Sequence, residues 1–188
     1  MDFDVKLRKH DGISFLFTDD DFEPFDRTFD EPVIISGEIF VDDKCIGIID
    51  GYCLYNDEAF YSKCENLSGD SEVIASVICG DDGCVLDKYL NDVGDCDEIF
   101  ILDKIQIDEK YRNKGIGGAI LKNLSKMLRY QFDCGSNIFL CASSFEKAQD
   151  FGFDSKEYTK SSKDLVNFYK KFGFKEIAKN VMYFNDKA

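Results

Sequence analysis

The residues whose types and spacing could do chemistry begin with Arg112-Asn113-Lys114-Gly115-Ile116-Gly117-Gly118, where three Gly fall within four positions. Ile116, Ile120, Leu121, Leu124 and Leu128 follow at helical spacing, so the cluster falls where a helix should begin. A Gly inside a helix costs about 1 kcal/mol relative to Ala. Three of them there imply that something approaches the backbone closely. The first N–H groups of a helix lack intrahelical acceptors and lie at the positive end of its dipole, which suits an anion. Arg112 and Lys114 add full positive charges. The combination predicts a phosphate or diphosphate site, against the plain alternative of a Gly-rich turn with no ligand. It is not a Walker A loop, since no Gly-x-x-x-x-Gly-Lys-Ser/Thr is present, nor the dinucleotide fingerprint, since the residue three after Gly117 is Ile120.

A second feature is Asp103, a charge inside the otherwise apolar run Glu98–Ile107. At a period of two it shares a strand face with Ile101 and Ile105. A carboxylate in such a strand must reach water, a partner or a substrate. A Lys on a neighbouring element is the ordinary partner, and a base facing a substrate is the functional one. Glu98, at what reads as the open end of the same strand, is the reserve carboxylate. A third feature is Tyr169, which by composition alone is a packed aromatic beside Phe168 and Phe172.

Metal chemistry has little support. The eight Cys are 45, 53, 64, 79, 84, 96, 134 and 141, and His10 is the only His. Cys79 and Cys84 flank a Gly-Asp-Asp-Gly turn, which is not a zinc spacing, so no metal is expected. Cys45, Cys53 and Cys141 lie in apolar runs and read as small core residues.

These groups need a scaffold. The 188 residues suit one domain, 1–188, with 1–30 as a strand plus loops or a variable N-terminal arm. Strands are predicted over Val33–Val41 and 45–55, joined by a turn at Asp42-Asp43-Lys44. Residues 57–79 are mixed, with Val73, Ile74, Val77 and Ile78 at helical spacing. Asp81-Asp82-Gly83 marks a turn, and residues 84–90 are ambiguous. A strand over Glu98–Ile107 leads through a polar loop into a helix over 115–130. A buried strand over 137–142 precedes a long connection, 143–160. A helix over 161–172 follows, capped by Ser161 or Ser162, with Asp164 in its first turn and Gly173 at its end. Closing strands are predicted over 174–177 and 180–184. The class is α+β.

The net charge of −14 repels nucleic acid phosphates and attracts cations, including amines. No stretch of 18 apolar residues is present, so no membrane partner is expected. No apolar run follows a basic start, and the thiols are expected to be reduced in a cytoplasmic chain.

Arg112-x-x-Gly115-x-Gly117, preceded by Ile105-x-Ile107-Asp-x-x-Tyr111 and followed by Ala119-Ile120-Leu121, resembles the acetyl-CoA motif of the Gcn5-related N-acetyltransferases (GNAT). Asn167-Phe168-Tyr169-Lys170-Lys171-Phe172-Gly173-Phe174 is similar to that family's Tyr-x-Lys-x-Gly-Phe segment. The likeness spans residues 98–177. It implies a mixed, mostly antiparallel central sheet with splayed parallel strands, flanked by helices. It implies acetyl-CoA as co-substrate, with the diphosphate on Arg112, Asn113, Lys114, Gly115, Ile116, Gly117 and Gly118. The pantetheine would lie along Ile105, Gln106 and Ile107, with an N–H near Ile107 polarising the thioester. It implies Tyr169 as the acid that protonates the leaving thiolate. It places Ile101 and Asp103 where relatives face the amine, which favours Asp103 as base, although a water-chained path is also common. Where the family often has a cofactor-touching Asn, this chain has Ser162. Asn113 stands where Gly is frequent, and Glu109 where Pro is. The expected acceptor is a cationic small-molecule or peptide amine. A non-catalytic CoA-binding module is the other reading, and the chain is expected to be a monomer or homodimer.

Overall fold

A computed structural model describes residues 31–41, 44–90, 98–132 and 137–185. The arm at 1–30, most of the first turn (Asp42, Asp43), and His10, Cys96 and Cys134 lie outside these residues. A six-stranded sheet runs in the order β1-β2-β3-β4-β6-β5. Its strands are β1 (Val33–Val41), β2 (Lys44–Tyr55), β3 (Glu98–Ile107), β4 (Asn137–Cys141), β5 (Lys175–Ala178) and β6 (Val181–Asn185). Every neighbouring pair is antiparallel except β3 and β4, which are parallel.

Helices cover both faces. The first face carries α1 (Phe60–Glu65) and α2 (Gly69–Ile78). They pack Phe60, Cys64, Ile74, Ala75 and Ile78 on Ile99, Ile101 and Phe139. The second face carries α3 (Ile116–Phe132) and α5 (Lys156–Lys170). They pack Ile116, Ile120, Leu124, Leu128 and Val166 on Phe100, Leu102, Ile138 and Leu140. Burying each such side chain contributes roughly 1.5–3 kcal/mol. Among the described residues no helix is long and apolar enough to cross a membrane.

Four departures from the sequence reading matter. The connection 143–160 is no loop: it contains α4 (Phe145–Phe151), capped by Ser144, and the first turns of α5. Accordingly α5 starts at Ser155, whose hydroxyl accepts from the Tyr158 N–H, and Ser161 and Ser162 are interior residues. The dipole-compatible acid in its first turn is Glu157, not Asp164. Polar Lys156, Glu157, Thr159 and Lys160 lie on its exposed side and hide the helix from a periodicity search. Finally Cys45 is exposed, while Cys53 is buried and Cys141 half-buried.

Two irregularities shape the centre of the sheet. Opposite β2, Leu102 pairs with Gly51 and Lys104 with Asp50, leaving Asp103 as an extra residue in a bulge. A Cβ on Gly51 would come within 2.3 Å of the Phe100 ring and 2.6 Å of the Ile101 carbonyl, so only Gly fits opposite the bulge. On the other side, β3 and β4 pair only from Ile99↔Asn137 to Leu102↔Leu140, although β3 continues to Ile107. The two parallel strands therefore part company at the bulge.

Candidate active site

The site assembles where β3 leaves β4. From Lys104 to Ile107, β3 keeps its pairing with β2 but has no pairing with β4. An unpaired strand edge offers backbone N–H and C=O groups to an extended ligand. The bulge also settles which side chains face which way. Asp103 shares a face with Ile101, as period two demands. Ile105 does not: past the extra residue the alternation is reset, and Ile105 and Ile107 pack with the α3/α5 core instead. The shared face expected for Ile101, Asp103 and Ile105 is thus corrected at Ile105. Glu98 stands at the opposite end of β3, beside the point where pairing with β4 begins, and so is not at the splay.

Below the splay the chain turns into α3. Asn113 (φ 61°) and Gly115 (φ 84°) both take left-handed backbone, which Asn tolerates better than most residues and Gly adopts freely. This explains how Asn113 serves where Gly is frequent. The first helical bond runs from the Ala119 N–H to the Gly115 carbonyl. The N–H groups of Ile116, Gly117 and Gly118 precede it and have no intrahelical acceptor. A Cβ on Gly115 would meet nothing within 4 Å, so that side of the loop is open. Gly117 and Gly118 answer to a different constraint. A Cβ on Gly117 would sit 3.3 Å from the Phe168 ring, and one on Gly118 2.6 Å from the Phe172 ring. What approaches the backbone at those two positions is α5 and its following turn.

Arg112 is already engaged. Its Nε donates to the Ile107 carbonyl at 2.7 Å, and its two terminal nitrogens donate to Glu146 of α4 at 2.9 and 2.6 Å. The pair is half-exposed, and each partner stabilises the other's charge: Glu146 sits below the usual carboxylate range and Arg112 above its own. Lys114 lies over the Tyr111 ring at 5.1 Å. The inserted helix therefore meets the loop at the mouth of the splay, on the side of α3.

Tyr169 reaches the same place from α5. Its ring packs edge-on against Phe168 and Phe174. Burial, and secondly the neighbouring Cys141 thiol, push its phenol up to about 12. Ser162 lies seven residues earlier, two helical turns back on the same face. It is buried, and its hydroxyl has no hydrogen-bond partner among the described residues.

From the α1/α2 side come groups that no sequence motif marked. Ser68 caps α2 through a reciprocal pair with Ser71, and its hydroxyl also donates to Asp103 at 2.8 Å. The partner of Asp103 is thus a cap serine, not a Lys. Asp70, in the first turn of α2, accepts from the Ser143 hydroxyl at 3.1 Å, with the Cys141 thiol in its neighbourhood. Burial raises the Asp70 carboxyl above its ordinary range, and the Asp103 charge adds to that. Tyr52 of β2 completes the group, its phenol raised by burial and then by Asp103 and Asp50. The Ser68-x-x-Ser71 spacing before an apolar helix was a readable cap signal; nothing local marked Asp70. Among the described residues no group of three or more His, Cys, Asp or Glu could hold a metal ion.

A mixed sheet with one parallel pair that splays, a glycine-bearing helix start below the splay and a half-buried Tyr beside it define an acyltransferase of the acetyl-CoA class. The profile of the acetyltransferase (GNAT) domain matches residues 69–176, more than half of the chain. The chain belongs to the GNAT family and is an N-acetyltransferase with acetyl-CoA as its co-substrate. A search of curated proteins finds no match. Solved structures similar to the chain include Arabidopsis thaliana NAA60 in complex with acetyl-CoA, at 10% identity and a TM-score of 0.45, covering 80% of this chain and 76% of that one. AtaT complexed with acetyl-methionyl-tRNAfMet matches at 10% identity and 0.43, over 82% and 72%. Arabidopsis thaliana Naa50 in complex with the bisubstrate analogue CoA-Ac-MVNAL matches at 16% identity and 0.35, over 79% and 68%.

Proposed function

We propose that the enzyme moves an acetyl group to a primary amine by direct attack in a ternary complex, with the thioester entering from the α3/α5 face and the amine from the α1/α2 face. The observation that carries this reading is the end of β3–β4 pairing at Leu102 and Leu140, with opposed chemistry on its two sides. The α3/α5 side has the unpaired helix N–H groups, Arg112, Lys114 and Tyr169. The α1/α2 side has Asp103 and Asp70.

In this reading Arg112, Asn113, Lys114, Gly115, Ile116, Gly117 and Gly118 hold the diphosphate. Gly115 provides the open approach, and Gly117 and Gly118 contribute their backbone nitrogens. The pantetheine lies along the free edge at Ile105, Gln106 and Ile107, and an N–H near Ile107 stabilises the developing oxyanion. Ser162, with its unsatisfied hydroxyl, supplies a further polar contact to the cofactor. Tyr169 donates a proton to the departing sulfur: its raised phenol stays protonated through neutral pH, as an acid must. Asp103 brings a carboxylate to the amine. The net charge of −14 supports a cationic small-molecule or peptide amine and disfavours a nucleic acid acceptor.

The test is Tyr169→Phe, with acetyl-CoA turnover followed by free-thiol release and CoA affinity measured by calorimetry. Turnover should fall about 10²–10⁴-fold, the range of a lost general acid, while affinity changes little. An unchanged rate eliminates Tyr169 as the acid. Absence of CoA binding to the wild-type chain would remove the whole reading.

A further inference from the structure

We propose that Ser68, the cap of α2, is a positioning residue for the transfer: its hydroxyl holds one oxygen of Asp103 and so turns the other toward the acceptor amine. The inference rests on Asp103 being the carboxylate that meets the amine. It names a residue outside the sheet and outside both sequence motifs.

The first observation is where the Ser68 proton goes. An N-cap serine needs only a lone pair, which accepts from a backbone N–H of the first turn. Ser68 meets that need with the Ser71 N–H, at 3.1 Å. Its own proton stays free for another acceptor, and a carboxylate is a stronger one than a hydroxyl. Asp103 Oδ1 stands at 2.8 Å, closer than the Ser71 hydroxyl at 3.1 Å. With a lone pair and the proton both committed, the Ser68 hydroxyl has one orientation.

The second is how the cap is anchored. The buried Ser71 hydroxyl accepts from the Ser68 N–H at 2.9 Å and donates to the Cys64 carbonyl at 2.7 Å. One residue before it, Asp70 accepts from the Ser143 hydroxyl at 3.1 Å. Asp103 belongs to β3, whereas Ser143 follows β4. The first turn of α2 therefore bonds to the chain on both sides of the gap that opens past Leu102 and Leu140. A hydroxyl mounted on such a turn is fixed relative to both strands, as a group that aims a reacting carboxylate must be.

The third is what remains of Asp103. The side chain is half-buried, and Ser68 is its hydrogen-bond partner among the described residues. The Asp103 carboxylate stands one residue past the last β3–β4 pair, and its Oδ2 keeps lone pairs for the N–H groups of an amine. The last torsion of an Asp side chain is otherwise broad. A bond to Oδ1 narrows it and with it the positions open to Oδ2.

The experiment compares wild type with Ser68→Gly, Ser68→Thr, Ser71→Ala, Asp103→Asn and the double variant Ser68→Gly/Asp103→Asn. The probes are 1,4-diaminobutane, glucosamine and a lysine-containing tetrapeptide, with thiol release followed at neutral pH and Tm measured for each variant. Gly caps a helix almost as well as Ser, so Ser68→Gly removes the hydroxyl and spares α2. For whichever probe the wild type acetylates fastest, Ser68→Gly should lower kcat/KM for the amine roughly tenfold, the size of one hydrogen bond to a charged group. The KM for acetyl-CoA should stay within about twofold, since the lost bond lies on the amine side. Ser68→Thr keeps the hydroxyl and should recover most of the loss. Ser71→Ala keeps the N–H that orients Ser68, so it should lower Tm and leave kcat/KM near wild type. The double variant should lose no more than Asp103→Asn alone, because the hydroxyl acts through that carboxylate.

Wild-type kcat/KM in Ser68→Gly beside a deficient Asp103→Asn overturns the inference alone. Additive losses in the double variant do the same, as does a Ser71→Ala loss of kcat/KM matching that of Ser68→Gly. Either would trace the effect to the helix and not to Asp103. If Ser71→Ala does not fold, the double variant still decides. Wild-type kcat/KM in Asp103→Asn strikes the reading of Asp103, and the inference falls with it. Turnover of none of the three amines by a wild type that binds CoA overturns both as well.

Discussion

Gly115 and Gly118 stand three residues apart at the start of α3, and their missing side chains face different surroundings. Gly115 needs left-handed backbone and looks into open space, whereas Gly118 leaves room for the Phe172 ring. Their Ala variants should separate cofactor binding from stability. Gly115→Ala strains a φ of 84°, by about 1–2 kcal/mol, and shifts the loop whose N–H groups receive the diphosphate. Its Kd for CoA, read by calorimetry, should rise at least about tenfold. Gly118→Ala over-packs the contact with Phe172, by about 1–3 kcal/mol. That should lower Tm by several degrees in a thermal melt, with a smaller change in Kd. Similar losses of affinity in both variants would mean that the rings of α5 and not the backbone set the loop. The composition of the loop announced that backbone mattered at all three glycines. It could not say which neighbour each one admits, because Phe168 and Phe172 arrive from fifty residues away.

At the scale of elements, α4 changes what the loop can do before any ligand arrives. Glu146 holds both terminal nitrogens of Arg112, the residue best suited to a diphosphate. The pair is half-exposed, and pairs of that kind contribute about 0–1 kcal/mol. Glu146→Gln should therefore free the guanidinium and tighten CoA binding by about fivefold or less. Arg112→Ala should weaken it, and the double variant should resemble Arg112→Ala alone. Weaker binding in Glu146→Gln would show instead that Glu146 holds Arg112 in its productive pose. The β3 bulge is the other decisive element. The strand's alternation already aims Asp103 toward α2, and the extra residue returns Ile105 to the opposite core, so a single strand serves both faces of the splay.

For the whole molecule, 37 acidic against 23 basic side chains give a field that acts oppositely on the two substrates. Raising ionic strength from 20 to 500 mM shrinks the Debye length from roughly 20 Å to about 4 Å. The kcat/KM of a cationic amine such as 1,4-diaminobutane should fall several-fold over that range. The KM for acetyl-CoA, an anion, should fall or stay level. A shared direction for both would show that local contacts and not net charge govern encounter.

Several features follow from the amino-acid order alone. Val33–Val41 and Glu98–Ile107 show as strands and residues 115–130 as a helix because their apolar positions repeat at two or at 3.6, a property of neighbours in the chain. The glycine cluster and Tyr169 are legible for the same reason, since each is a short run of residue types. Partners across elements were not. The Ser68–Asp103, Arg112–Glu146 and Ser143–Asp70 bonds join residues 35, 34 and 73 positions apart. Only folding brings such groups together, since a hydrogen bond across the sheet leaves no period in the sequence. The bulge likewise depends on Gly51 opposite it, a partner chosen by register and not by any neighbour of Asp103.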